Sequence, residues 1–441
     1  MSEKVTTEKI KTEKVESLPD GWKRVRLGEV IYFKNGKSPS FLEFGTYPIY
    51  GSNGLIGFSN IYQFEGEHLI IGRVGASGEV HFVSGRFFAS DNCLVGHLLR
   101  EKELNLRYAF YYLKYFDLKR FITQTAQPLI TQSLINNLFI EFPPLPEQRK
   151  IAEILETVDN AIEKTDAIIE KYRRIKKGLM ADLLTGKIRL IPYGHSEAEG
   201  EESPLLTSPE AKKFVIGDKT FVAVPNQKWK NSPIGKIPED WEVRKLGEIG
   251  EIVSGYTFPI SFQGKDYGQY PFVKVDDLNI DNKFILGAKN YIDDYERNFL
   301  GIMVFPPSTI VFPKIGMAVY LNKFRILKVN AVFDNNITGV IFERSICSPE
   351  FYYFYFAAKI DLKKIAYETA LPSIPTQALK SLLLPLPPLS EQQLIADVLS
   401  QVDEVIEKEI QYKEKLERIK KGLMEDLLTG KVRVNNLIKE G

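Results

Sequence analysis

Two stretches of the chain, 244 residues apart, share one pattern of hydrophobic and polar positions. Residues 143–190 align without a gap with residues 387–434, and 29 of the 48 aligned positions are identical. In both stretches the apolar residues recur at spacings near three and four, which is the pattern of an amphipathic α-helix. Each copy is therefore predicted to form one helix of about 38 residues, roughly 57 Å long at 1.5 Å per residue.

The starts of the two predicted helices carry different signals. In the first copy, Pro146 suits the first helical position, and Glu147 interacts favourably with the helix dipole. In the second copy, Ser390 and Gln393 have the spacing of a capping box. Both patterns indicate that a helix begins directly after a proline-rich segment.

Glycines mark the ends and the interior of both predicted helices. Gly186 and Gly430 follow the last apolar positions, where a glycine often terminates a helix. Gly178 and Gly422 lie inside the helices, at a cost of about 1 kcal/mol each relative to alanine. Two interpretations of these interior glycines are open: another chain approaches closely there, or the glycines are simply tolerated.

A long helix with a single apolar stripe is unstable alone in water, and its natural partner is a helix of similar pattern. The two copies are therefore predicted to pair with each other. Because the segment that connects them contains a whole globular domain, they are predicted to form an antiparallel coiled coil. The predicted packing residues are Leu155, Val158, Ile162, Ile169, Tyr172, Ile175, Leu179, Leu183, Leu399, Val402, Ile406, Leu416, Ile419, Leu423 and Leu427.

The duplication extends upstream of the helices. Residues 18–30 match residues 237–249, now with an offset of 219, so each half consists of a variable segment followed by a nearly constant helix. The variable segments contain short runs rich in Ile, Val, Phe and Tyr between Gly, Ser and Asn, which predicts strands and tight turns. The fold class is α+β: two globular domains with a pseudo-two-fold internal repeat. The predicted boundaries are a tail (1–17), a domain (18–142), a helix (143–190), a linker (191–235), a domain (236–386), a helix (387–434) and a tail (435–441).

Composition places the chain in the soluble globular class. Apolar and charged residues make up 44% and 26% of the 441 residues. The N-terminal segment has no apolar core typical of a signal peptide, and no stretch is apolar enough for a membrane span, so a cytoplasmic protein is expected. The net charge of +1 means that any nucleic-acid binding depends on local positive charge or on partner subunits.

Motifs for catalysis and metal binding are weak. Residues 72–78, GRVGASG, match neither common phosphate-binding loop and are predicted to be a β-turn. The PP dipeptides lack the polar first residue of an adenine-methyltransferase motif. With two cysteines and four histidines, the nearest candidate for a metal site is Cys93 with His97, for which a structural strand pair is the favoured interpretation. We therefore expect no catalytic, metal or cofactor site in this chain.

The sequence resembles the specificity (S) subunits of type I restriction-modification enzymes. The resemblance rests on IPEDW at 237–241, on PPLPEQ and PPLSEQ at the two helix starts, and on LLTGK at both helix ends, and it covers nearly the whole chain. It implies two target-recognition domains that each read one half of a split, asymmetric DNA sequence. It also implies two methylation (M) subunits and restriction (R) subunits as partners, which would carry S-adenosylmethionine, ATP and Mg.

Candidate DNA contacts are polar side chains in the turn-rich parts of the two domains. Arg and Lys suit guanine, and Asn and Gln suit adenine, because these side chains match the donors and acceptors of those bases. The candidates are Ser52, Asn53, Arg73, Ser90, Asp91, Asn92, Gln124 and Gln127 in the first domain, and Lys274, Asp276, Lys314, Asn335 and Asn336 in the second.

Two other functional classes stay open from the sequence. One is an enzyme, in which a small methyltransferase or nuclease is fused to a recognition domain. The other is a coiled-coil scaffold that does not act on DNA. Methyl transfer by the isolated chain would indicate the first, and lack of any specific competition by DNA would indicate the second.

Overall fold

Short strands, short helices and one long helix make up the first half of the chain. The structure, a computed structural model, describes residues 18–39, 45–121, 129–191, 211–216, 219–367 and 371–438. The strands of this half are β1 (Lys23–Arg26), β2 (Ile31–Asn35), β3 (Tyr47–Gly51), β4 (Gly54–Ser59), β5 (Phe64–Glu65), β6 (His68–Gly72), β7 (Val80–Val83), β8 (Arg86–Ala89), β9 (Cys93–Leu98) and β10 (Phe139–Phe142). The helices are α1 (Leu27–Val30), α2 (Leu106–Phe116), α3 (Gln132–Asn137) and α4 (Leu145–Leu183).

The second half repeats this order with additional strands. Its strands are β11 (Ile188–Ile191), β12 (Lys212–Ile216), β13 (Lys219–Pro225), β14 (Trp229–Ser232), β15 (Gly235–Pro238), β16 (Glu242–Lys245), β17 (Gly250–Ser254), β18 (Tyr270–Val273), β19 (Phe284–Ile285), β20 (Tyr291–Ile292), β21 (Ile310–Pro313), β22 (Arg325–Leu327), β23 (Val332–Phe333), β24 (Ile337–Phe342) and β25 (Leu383–Leu386). Its helices are α5 (Leu246–Ile249), α6 (Asp294–Leu300), α7 (Pro349–Lys359), α8 (Leu362–Ile365), α9 (Thr376–Lys380) and α10 (Leu389–Leu428).

The chain divides into two compact units, each built from parts of both halves. Unit 1 comprises residues 1–167 and 410–441, and unit 2 comprises residues 168–409. Each unit therefore contains one globular domain, the start of the long helix that follows this domain, and the end of the other long helix. The sequence repeat alone would have divided the chain at its middle instead.

Unit 1 contains two four-stranded sheets and a separate strand pair. One sheet has the order β2-β9-β6-β7 and is antiparallel; the other has the order β4-β3-β8-β5, with β3 and β8 parallel; β1 pairs with β10. The aromatic helix α2 packs its buried face, including Tyr108 and Tyr111, into the main core of this unit. Leu427 and Leu428 at the end of α10 complete that core.

Unit 2 keeps the same arrangement with additions. The order β17-β24-β21 corresponds to β2-β9-β6, and the pair β16–β25 corresponds to β1–β10. The registers agree as well: Phe33 faces Gly96 in β2–β9, and Ile252 faces Val340 in β17–β24, which are the same positions at offsets of 219 and 244. β22 pairs with β21 in the position that β7 has beside β6, and the additional strand β19 extends the sheet beyond it.

The two long helices run antiparallel in each unit. In unit 1, Lys420 forms an ion pair with Asp159, and Lys413 Nζ lies 2.8 Å from Asp166 Oδ1. In unit 2, the same contact occurs between Lys176 and Asp403, 2.6 Å apart. Because residue numbers rise along α4 while they fall along α10, the helices are antiparallel, and the predicted pairing of the two copies is confirmed.

Most predicted packing residues are buried or half-buried, but two are not. Ile175 is 37% exposed and Ile419 is 42% exposed. These two residues are 244 apart and occupy the same position in the two copies. The packing prediction is therefore wrong at this position of both helices. The apolar stripe is wider than the helix interface, and the periodicity alone does not tell which apolar residues face the partner helix.

The helix ends agree with the prediction more closely than the starts. Gly186 and Gly430 have φ of +68° and +72°, the left-handed conformation expected after a helix. The predicted capping box is not formed, because α10 begins at Leu389 and Ser390 therefore lies inside its first turn. The carbonyl of Pro388 accepts the first helical N–H groups instead.

Part of the predicted linker, 191–235, forms strands. In the described residues, β13 pairs with both β11 and β12, and β14 pairs with β15. Phe221, Val222 and Val224 of β13 are buried. The residues of β13 include the apolar run at 221–224, and such a short apolar run rich in valine is consistent with a buried strand. Residues 192–210 lie outside the described residues.

A buried glutamate at the start of each long helix binds an arginine beyond the end of the other. In unit 1, both oxygens of Glu147 accept hydrogen bonds from Arg433, each at 2.7 Å. In unit 2, Glu391 accepts hydrogen bonds from Arg189 and, at 2.9 Å, from Trp241 Nε1. Both carboxylates are at least nine-tenths buried. Burial alone would lower the pKa of Arg189, but the hydrogen bonds with Glu391 and Asp240 raise it above its ordinary value.

The next residue along each helix, a glutamine, binds the globular domain. Gln148 accepts a hydrogen bond from the backbone N–H of Asn105, the N-cap of α2, and donates to the carbonyls of Glu103 and Pro143. Gln392 makes the same contacts with Ser348, Ile346 and Pro387 in unit 2. Both glutamine side chains are fully buried. The repeated Glu-Gln dipeptide thus fixes each helix start to the other helix and to the adjacent domain.

Replacing either buried glutamate with alanine is expected to destabilise the unit that contains it. Glu147→Ala would leave Arg433 without its carboxylate, and Glu391→Ala would leave Trp241 unpaired and Arg189 with Asp240 as its remaining carboxylate. We expect a loss of about 2–4 kcal/mol in each case, below the range of fully buried pairs because the arginines keep some water contact. Urea unfolding would measure it, with Glu404→Ala on the exposed side of α10 as the control. A loss no larger than that of the control would contradict the structural role of these glutamates.

Candidate nucleic-acid interface

The loop that joins β8 to β9 is fixed to its neighbours by backbone hydrogen bonds. Ser90 donates its N–H to the Tyr50 carbonyl at 2.8 Å, and Cys93 donates to the Ser90 carbonyl at 3.0 Å. Arg73, directly after β6, donates its N–H to the Asn92 carbonyl at 2.8 Å. Residues that are far apart in the sequence therefore meet at one end of the two sheets of unit 1.

Ser52 and Gly36 pack against the buried side of this loop. The hydroxyl of Ser52 lies 2.6 Å from the Val74 carbonyl and 2.9 Å from the Asn92 carbonyl, within donating distance of both. A β-carbon at Gly36 would lie 2.1 Å from the Ser90 carbonyl, so only glycine permits this close approach. Ser52 and Ser90 are buried, and we therefore assign them to holding the loop in place.

The second domain builds the same loop between β23 and β24. Asp334 donates its N–H to the Val273 carbonyl at 2.9 Å, and Ile337 donates to the Asp334 carbonyl at 2.9 Å. Lys314, directly after β21, donates its N–H to the Asn336 carbonyl at 2.8 Å. Each bond corresponds to one in the first domain.

The carbonyl groups of the two basic residues, Arg73 and Lys314, also have equivalent partners in the two domains. The Arg73 carbonyl accepts from Ile130 at 3.0 Å, and the Lys314 carbonyl accepts from Ile374 at 2.9 Å. At Gly255 a β-carbon would lie 2.2 Å from backbone carbonyls, as at its counterpart in the first domain. Both domains thus present a basic residue and a three-residue loop on the same backbone framework. We call this framework, residues 73 with 90–92 and residues 314 with 334–336, the recognition frame.

Side chains in the middle of the two loops have equivalent partners. The Ser38 hydroxyl donates to Asp91 at 2.9 Å, and the Asn335 amide donates to the Thr257 hydroxyl at 3.3 Å. Ser38 and Thr257 are 219 residues apart, and Asp91 and Asn335 are 244 apart, which are the two offsets of the repeat. Sequence reasoning missed Ser38 and Thr257, although these offsets could have identified them as one pair of positions.

The basic residues of the recognition frame differ in their surroundings. Lys314 Nζ lies 3.1 Å from the Ser254 hydroxyl, and burial lowers the pKa of Lys314 while the nearby Asp334 raises it in part. Arg73 is half-buried at the corresponding position. Arginine can bind one base through two parallel hydrogen bonds, whereas lysine offers a single mobile ammonium, so the two frames present different chemistry at one position.

The other sequence-predicted residues lie near the recognition frame or outside the described residues. Asn53 and Asp276 are exposed, and each lies three residues beyond the strand residue that accepts a hydrogen bond from the loop. Lys274 directly follows β18. Gln124 and Gln127 lie outside the described residues.

Cys93 belongs to the packed interior of unit 1, and His97 is half-buried on the same strand. Cys93 is fully buried, and the rings of His97 and His68 are 4.5 Å apart beside Phe64. Burial lowers the pKa of His68 to about 4, with the charge of His97 as the smaller cause. In the described residues, no group of three or more His, Cys, Asp or Glu could hold a metal ion. Among those same residues, every helix is too short or too polar to cross a bilayer.

Two features define the class of protein: the recognition frames, and the two long helices that each contribute to both units. The class is a two-domain recognition protein on a duplicated helical scaffold. The family model described as "Type I restriction modification DNA specificity domain" matches residues 19–171 and 238–418. Because this match covers most of the chain, the protein belongs to the family of type I restriction-modification specificity subunits. Members of this family carry DNA target-recognition domains and are not catalytic, since the catalytic activities lie in other subunits.

Individual relatives agree with this assignment. The MjaVIII specificity subunit of Methanocaldococcus jannaschii is 29% identical over 95% of this chain and 95% of its own length. The EcoprrI specificity subunit of Escherichia coli is 31% identical over 34% of this chain and 38% of its own. The crystal structure of a type I S subunit from M. genitalium covers 95% of this chain and 98% of its own, with 15% identity and a TM-score of 0.61, and so shares the fold.

Replacing Ser52 with alanine is expected to loosen the first recognition frame. The change removes the hydroxyl that contacts the carbonyls of Val74 and Asn92, at a typical cost of about 1 kcal/mol. Hydrogen exchange of the Arg73 and Cys93 amides should become several-fold faster, and exchange in the second domain should not change. Ser84→Ala, at an exposed turn of the same domain, is the control. Unchanged exchange at Arg73 would show that the hydroxyl does not hold the loop.

Proposed function

We propose that this protein reads a bipartite, asymmetric DNA sequence and assembles M and R subunits around it. Each globular domain, within the predicted ranges 18–142 and 236–386, contacts one half of the target through its recognition frame. The exposed donors and acceptors of the frame are those that distinguish base pairs in the major groove. S-adenosylmethionine, ATP and Mg act on the partner subunits, and this chain supplies sequence recognition.

The observation that carries this proposal is the shared recognition frame with different side chains. Arg73 in one domain corresponds to Lys314 in the other, and Asp91 corresponds to Asn335. Equivalent backbones would present these side chains to DNA in equivalent ways, while the different chemistry selects different bases. This arrangement supports two half-sites that differ in sequence, so that the complete target is asymmetric.

Exchange of one domain is expected to change one half of the target. Residues 236–386 would be replaced with the corresponding domain of another specificity subunit, and the hybrid would be expressed with the M subunit. Sequencing of methylated bases in those cells should show a new second half-site and an unchanged first one. Simultaneous change in both halves would refute the assignment of one half-site to each domain.

Two experiments separate this function from the alternatives. The pure chain would be incubated with DNA and S-adenosylmethionine, and methyl transfer without any partner would indicate a fused enzyme. Binding of the chain with its M subunit to labelled DNA would be competed with target and non-target DNA. Equal competition by both would indicate a scaffold without sequence recognition.

We also propose that the exposed faces of the long helices bind two M subunits. In unit 2, the exposed residues Ile168, Lys171, Ile175 and Gly178 lie within an arc of about 80° on α4. In unit 1, α10 has the corresponding face, with Tyr412, Lys415, Ile419 and Gly422. We call these the two outer faces.

The chemistry of the outer faces favours a partner helix with apolar and acidic residues. Each face combines two large apolar side chains with a lysine, and, apart from the glycine's chain neighbours and the backbone of its own helix, no described atom lies within 4 Å of a β-carbon built on Gly178 or Gly422. Glycine inside an exposed helix is unfavourable, so its presence at the same position twice supports close approach by another backbone. Because the faces are equivalent, two copies of one partner would occupy them.

A glutamate at the centre of one outer face is expected to remove one M subunit. Ile175→Glu and Ile419→Glu would each give complexes with one M subunit, and the double variant would give none, as measured by native mass spectrometry. Lys177→Glu introduces the same side chain on a different exposed side of α4 and serves as the control. A double variant that still binds two M subunits would exclude the outer faces as the docking sites.

A further inference from the structure

Asn92 and Asn336 are the same residue at the same position of the two recognition frames. They are 244 residues apart, and each carbonyl accepts the N–H of the basic residue after the neighbouring strand, at 2.8 Å in both domains. The N–H of each asparagine is also bound in the same way, Asn92 to the Ser90 hydroxyl and Asn336 to the Asp334 carboxylate. The backbone of both residues is thus fixed from both sides.

The turn itself does not require asparagine at this position. Asparagine is frequent in loops because it tolerates a left-handed backbone. Neither Asn92 nor Asn336 has a positive φ, whereas Asn322, elsewhere in the chain, does. Another residue would therefore fit the backbone at both positions equally well.

The side-chain amides of these two residues also lack a role within the protein. The neighbouring loop side chains are engaged, Asp91 with Ser38 and Asn335 with Thr257. Within the described ranges, no hydrogen bond joins the amide of Asn92 or Asn336 to another protein group. An identical amide that is free on a fixed backbone in both frames is available to a ligand.

We infer that Asn92 and Asn336 read the same base, an adenine, once in each half-site. The side-chain amide of asparagine can donate an N–H to adenine N7 while its carbonyl oxygen accepts from the N6 amino group, so that it forms two hydrogen bonds with adenine. This inference rests on the proposed function and extends it. The asymmetric part of the target then comes from the positions where the frames differ, Arg73 against Lys314 and Asp91 against Asn335, and the two half-sites share one adenine·thymine pair.

The test is methylation-motif sequencing of cells that express the specificity chain with its M subunit. Asn92→Ala should relax one adenine·thymine pair in the first half-site, with discrimination reduced roughly ten- to a hundredfold. Asn336→Ala should relax one such pair in the second half-site and leave the first unchanged. Asn92→Asp replaces a donor with an acceptor and should shift the preference at that pair from adenine towards cytosine, whose amino group donates.

Controls distinguish failure of this inference from failure of the proposed function. Asn60→Ala, at an exposed position of the first domain, should keep the complete motif. A wild-type chain that gives no sequence-specific motif would overturn the proposed function and this inference with it. A specific wild-type motif that both alanine variants keep, or relaxation at a base pair that differs between the two half-sites, would overturn the inference alone.

Discussion

The buried Glu-Gln dipeptide at the start of each long helix is the constraint on which the rest of the structure depends. Its glutamate binds the arginine beyond the end of the antiparallel helix, and its glutamine caps the backbone next to the aromatic helix of the adjacent domain. A buried carboxylate without its arginine is strongly unfavourable, so the helix start and the opposite helix end form together. Each unit is completed by residues from both halves of the chain for this reason.

The contacts of the same dipeptide also separate the variable domains from the nearly constant helices. The glutamine contacts leave the domains free to diverge in sequence, because Gln148 and Gln392 bind backbone carbonyls and N–H groups, which any sequence supplies. The helices cannot diverge as freely, since their ion pairs recur at equivalent positions, Asp159 with Lys420 and Lys176 with Asp403. A nearly constant scaffold with variable domains follows from this division of contacts.

The recognition frames show the same division on a smaller scale. Backbone hydrogen bonds and close-approach glycines define the loop, and the side chains that the loop presents are free to differ. Where a side chain does not differ, as at Asn92 and Asn336, and no contact in the described protein explains it, a shared ligand is the simplest physical reason. A framework built from backbone groups can therefore change its target by substitution without loss of the fold.

The sequence by itself determined the duplication, the two long helices and the glycines at their ends, because helical periodicity and φ preferences are local. It also predicted the antiparallel pairing of the helices, because a whole globular domain connects the two copies. The clustering of Ser52, Arg73 and residues 90–92 was decided by sheet topology, which brings the ends of distant strands together. Tertiary packing also decided that Ile175 and Ile419 are exposed, since the apolar stripe exceeds the surface that the partner helix covers. The arginine partners of Glu147 and Glu391 could not be predicted from the local sequence, because each arginine lies more than 200 residues away.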